Sequence, residues 1–106
     1  MERAELPTFD LSRILNRVRK EYPEWTEARI ARAERDYRDF LAAAKANKGK
    51  QVSPCGDVET MWHTHIVYTR QYHADCQAYF GYYLHHEPFD DTNREWSWGS
   101  VLVRPA

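Results

Sequence analysis

Apolar residues recur at helical spacing through the first half of the chain. Leu11, Ile14, Leu15 and Val18 share one face, and Arg13, Asn16, Arg17 and Lys20 take the other. Asp10 stands where its carboxylate can cap the free amides of a first turn, and Pro23 closes the helix that follows. A second, longer stripe runs through Ile30, Ala33, Tyr37, Phe40, Leu41 and Ala44. Thr26 is its expected N-cap, Trp25 is placed to staple against Ile30, and Asn47 and Gly49 mark its end. Ser53-Pro54 predicts the start of a third helix running to about Val67, with Ser as cap and Pro in the first turn. A fourth helical stretch is predicted from about Thr69 to Phe80, ending at Gly81. Pro88, Asp90, Asp91, Asn93 and Gly99 predict irregular backbone in the tail, with Trp96, Trp98, Val101 and Leu102 folding back on the helices, at most as one short strand. The pattern is that of a mainly α protein, a small bundle of about four helices with an irregular C-terminal tail.

Composition narrows the class. The 106 residues suit one domain spanning 1–106, and 42% hydrophobic with 29% charged residues is an ordinary globular mixture. Lys and Arg number 15 against 16 Asp and Glu, for a net charge of -1, which lacks the basic footprint of a nucleic-acid binder. No apolar run approaches the roughly 20 residues that span a bilayer, so no membrane role is expected. Met1 to Pro7 lacks the apolar core of a signal peptide. The expected compartment is the cytoplasm, where Cys55 and Cys76 would be thiols rather than a disulfide.

The chemistry-bearing residues are unevenly placed. All five His and both Cys lie between Cys55 and His86, within a His/Cys-rich segment, residues 55–88, that marks the functional region. The order is His63-x-His65, then His73-x-x-Cys76, then His85-His86. Positions i and i+2 of a regular helix point about 200° apart, so His63 and His65 share an ion only where the helix ends or distorts. His65 shares a face with Met61 and Trp62, whereas His63 lies one turn after Glu59 on the polar edge. His73 and Cys76 stand at i,i+3, a spacing that lets one helix present two ligands. Imidazole and thiolate together favour zinc, with copper and nickel as alternatives. The sequence has neither a Cys-x-x-Cys pair nor His-Glu-x-x-His, so no known zinc motif fixes the set. Plainer roles compete. His65 suits a core histidine satisfied by backbone carbonyls and a Tyr hydroxyl, Cys76 a small hydrophobe, and Cys55 a loop residue. Asp57 and Glu59 are either carboxylate ligands or first-turn acids that complement the helix dipole. A Cys76 nucleophile served by His73 or His65 lacks any visible orienting group.

The run Asp57-Val58-Glu59-Thr60-Met61-Trp62-His63-Thr64-His65-Ile66, followed by Tyr72, Asp75-Cys76, Gly81 and His85-His86, resembles the glycine-rich-domain-protein-like family. The likeness covers roughly residues 25 to 88, since Tyr37-Arg38-Asp39-Phe40-Leu41 is similar to the helix that precedes the motif. It singles out Asp57, Trp62, His63, His65, Cys76 and His86, leaves out His73 and Cys55, and implies no particular reaction. With only 4 Gly, this chain has no glycine-rich region. Motif and spacing together lead to a metal-binding helical domain holding Zn2+ through a subset of His63, His65, Cys76, His85 and His86. Two other readings stand beside it. One is an interaction domain in which Trp62 and the tyrosines meet an unknown protein partner. The other, ranked last, is a small metal-dependent hydrolase or Cys-His enzyme.

Overall fold

The computed structural model describes residues 4–48, 54 and 56–86. Its helices are α1 (Ser12–Glu21), α2 (Glu27–Ala46), α3 (Asp57–Val67) and α4 (Thr69–Tyr79), and no strand occurs among the described residues. The mainly α bundle expected from the periodicity is the fold observed. The expected fold-back of Trp96, Trp98, Val101 and Leu102 lies outside the described residues, as does Cys55.

The apolar stripes become the core. Leu11, Ile14 and Val18 of the first stripe and Ile30, Ala33, Tyr37 and Leu41 of the second are all buried, and they meet Met61, Trp62, Tyr72 and Cys76. Each fully buried Ile or Leu stabilises the fold by about 1.5–3 kcal/mol. The third helix packs against all of the other three, which makes it the central element.

The helix ends show where local chemistry departs from expectation. Asp10 accepts from the Ser12 amide at 2.9 Å and the Ser12 hydroxyl at 2.7 Å, yet the N-cap position falls at Leu11, one residue later than expected. Pro23 disfavours helical backbone at the residue before it, and Tyr22 accordingly leaves the helix at φ -129, ψ 67. Thr26 caps α2 as expected, accepting from the Arg29 amide at 3.1 Å. The third helix starts at Asp57 rather than at Ser53-Pro54, because Gly56 at φ 64, ψ -136 turns the chain into it. This positive φ suits glycine and strains other residues. Arg29 then locks that start to α2, its guanidinium donating to both Asp57 carboxylate oxygens at 2.9 and 3.0 Å.

The segment before α1 is held across the bundle. Arg38 donates from Nη1 to the Pro7 and Phe9 carbonyls at 2.9 and 3.0 Å while its Nη2 engages Glu34 at 2.8 Å. Gln71 donates to the Asp10 carbonyl at 3.0 Å, and the Tyr79 hydroxyl donates to the Glu5 carbonyl. Phe9 is thereby laid against the His65 ring, with centroids 5.6 Å apart. Arg38→Leu keeps the bulk but strips two carbonyls of their donor, so it is expected to cost about 1–3 kcal/mol in urea denaturation. The same variant should speed proteolysis within residues 4–10, and an unchanged midpoint and cleavage rate would contradict the bracing role of Arg38.

Candidate metal centre

Helical geometry separates the two histidines of the Trp-His-x-His run. The third helix is regular through Val67, so His63 points outward with a 63% exposed side chain and His65 points inward at 1%. Both nitrogens of His65 have partners. Tyr37 Oη lies 2.7 Å from Nδ1 and Asp75 Oδ2 lies 2.8 Å from Nε2. Since the Asp75 carboxylate only accepts, Nε2 carries the proton and Tyr37 donates to Nδ1. A tyrosine does hold the core histidine, as expected, but its second partner is a carboxylate from α4 rather than a backbone carbonyl. Burial lowers the His65 pKa from its ordinary 6.5, against the opposing pull of Asp75, and the Arg38 charge adds to the lowering.

The other expected ligands lie apart. Cys76 is buried, and burial pushes its thiol up and away from the thiolate form that metals take, partly offset by the neighbouring Leu84 backbone and Tyr72. His73 is exposed, so it faces outward while its i,i+3 neighbour Cys76 faces inward, and the two do not act as the ligand pair that their spacing allows. His85 is also exposed, resting against the Tyr83 ring at 4.9 Å.

The structure brings His63 and His86 together with Glu59. One donor atom from each lies within 4.8 Å of the other two, the one such group among the described residues. His63 Nε2 is 3.5 Å and His86 Nε2 is 3.8 Å from Glu59 Oε2. Ligands at 2.0–2.1 Å around a tetrahedral zinc ion stand about 3.3 Å apart, so small side-chain shifts would bring these donors onto one ion. Glu59 and His63 are i,i+4 neighbours on α3, an ordinary surface pair worth a few tenths of a kcal/mol by itself.

His86 is what makes the pair a three-donor set, and its place is enforced from the core. Its ring stacks on Trp62 with centroids 4.0 Å apart and planes 3° off parallel, and meets His63 edge-on at 4.7 Å. The Trp62 indole N–H donates to the Tyr72 hydroxyl at 2.9 Å, and that hydroxyl donates to the Leu84 carbonyl two residues before His86. Burial holds the Tyr72 phenol far above its ordinary pKa, so it keeps the proton it donates.

Glu59 stands outside the ligand set expected from the His and Cys positions. Its signal was its position one turn before His63, but an acid in a first turn reads equally well as a dipole partner. Glu59 and His63 also wall an open groove of about 410 Å³ between α3 and α1, faced by Arg17, Glu21 and Tyr22.

Residues 2–97 match the family described as UCP032817-like, and the chain belongs to that family. No curated protein and no solved structure matches the chain.

A histidine whose pKa is lowered by folding takes up its proton more readily in the unfolded chain. Its stabilising contribution is therefore complete above 6.5 and is lost as pH falls from 6.5 toward the lower folded value. Tyr37, Asp75 and Arg38 are the polar groups that face or act on it, with the Phe9 and Tyr72 rings closing the rest. The protein should lose stability between pH 6.5 and 5 more steeply than a His65→Gln variant measured in parallel. Identical slopes would refute the assignment of a neutral buried His65.

Proposed function

We propose that this chain is a small helical domain that binds a divalent metal ion, zinc by preference, through Glu59, His63 and His86. The observation that carries the reading is the convergence of these donors within 4.8 Å, contributed by α3 and by the segment after α4. Two imidazoles and a carboxylate are a donor set zinc accepts, with copper and nickel as the competing ions. The resemblance to glycine-rich-domain-protein-like proteins lends support, since it singles out His63 and His86 from the sequence motif alone.

Burial favours this reading over an aromatic docking patch. Trp62 and Tyr72 are each 1% exposed and offer a partner almost no surface. No helix among the described residues is long and apolar enough to cross a membrane. The unpaired Cys76 thiol accords with a cytoplasmic setting.

A bound ion would tie the segment after α4 to α3 and add directly to folding free energy. Tag-free protein purified without chelator should carry about one zinc per chain by mass spectrometry, as a single three-donor site requires. Glu59→Gln combined with His63→Ala should bring the metal to background, and His85→Ala should leave it in place. Chelation should lower the melting temperature of the parent but not of the double variant. Background metal in the parent after incubation with zinc, or full occupancy in the double variant, would refute the proposal.

A further inference from the structure

The groove beside the three donors has a chemistry of its own. At about 410 Å³ it has the size of a small-molecule site, within the usual range of about 300–1,000 Å³. A divalent ion held by one carboxylate and two neutral imidazoles keeps one positive charge uncompensated. Three protein donors also leave a tetrahedral ion a vacant coordination position. Both features favour an anionic oxygen as the last ligand. Glu59 and His63 belong to the donor set and to the groove wall alike, so a ligand in the groove lies next to the ion.

The opposite wall supplies one cation, Arg17, beside its partner Glu21. Arg17 lines this groove and also a second one of about 460 Å³, which adds Arg13 and Lys20. Arg17 is oriented by the Glu21 carboxylate at 2.8 Å, and Arg13 lies over the Tyr68 ring at 4.9 Å. The Arg17–Glu21 pair is 44% exposed on both sides, so the contact is weak and its guanidinium can turn toward a better-anchored anion. The surface thus runs from the metal donors to Arg17 and on, past Glu21, to Arg13 and Lys20 in the neighbouring groove.

We infer, resting on the metal reading above, that the groove between α1 and α3 binds a small molecule bearing an oxyanion, a carboxylate or a phosphate. One of its oxygens completes the coordination of the ion, and its remaining negative charge faces Arg17.

Cobalt loaded into the full chain reports both steps. Bound cobalt is counted, and its visible bands are followed as acetate or inorganic phosphate is added. The expected result is stoichiometric cobalt whose bands shift saturably with at least one anion, and the anion that acts identifies the carboxylate or the phosphate class. Arg17→Gln should weaken that anion about fivefold, the scale of an exposed ion pair, with cobalt affinity unchanged. Bands that neither anion moves would overturn the inference while leaving metal binding intact, whereas an intense near-ultraviolet thiolate band would place the ion on a cysteine and overturn the Glu59, His63 and His86 donor set together with the inference. Equal anion affinity in Arg17→Gln would remove Arg17 from the site. Cobalt at background would overturn the metal reading and the inference together.

Discussion

The hydroxyl of Tyr72 is the contact on which the rest of the arrangement depends. It accepts the Trp62 indole N–H and donates to the Leu84 carbonyl, so one buried oxygen joins α3, α4 and the segment that follows. Such bonds contribute only about 1 kcal/mol net each, but a buried partner left unsatisfied costs about 1–3 kcal/mol. The geometry is therefore better specified than the energy of any single bond suggests. Trp62, fixed in this way between Phe40 and His86, becomes the platform that sets the imidazole of His86 beside Glu59 and His63.

The two histidines of the α3 run show how one helix divides labour between interior and surface. His65 faces the core, where Tyr37 and Asp75 satisfy both ring nitrogens and leave no lone pair for an ion. His63 faces outward, where its neighbour one turn back is an acid and its neighbour in space is another imidazole. The buried Tyr37–His65–Asp75 chain couples α2, α3 and α4 through polar contacts inside an otherwise apolar core. Full satisfaction is what makes such a network tolerable, because the low local dielectric that strengthens paired groups also penalises unpaired ones. The bundle consequently carries two polar centres back to back, one closed and structural, the other open to a groove.

Much of the fold was legible in the sequence because burial follows period. Leu11, Ile14 and Val18, and then Ile30, Ala33, Tyr37 and Leu41, lie in the core in the order their spacing predicts. The third helix starts later than the opening signal at Ser53-Pro54 predicts, because the glycine that turns the chain lies just beyond it. The candidate site was only half legible. His63 and His86 stand out by residue type and Glu59 by its place one turn before His63, but His86 joins that pair only through the return of the chain after α4, a contact that no local pattern encodes. His65 and Cys76 share the same motif and lie in the interior, since motif spacing says which residues matter without saying which way they point.

The most direct test of the account is the ring-nitrogen NMR spectrum of all five histidines as zinc is added. His63 and His86 are expected to lose their free-imidazole tautomeric signals together at one equivalent, while His65 keeps the Nε2–H form set by Asp75. Perturbation of His65 at the same equivalence point, or of His63 without His86, would contradict it.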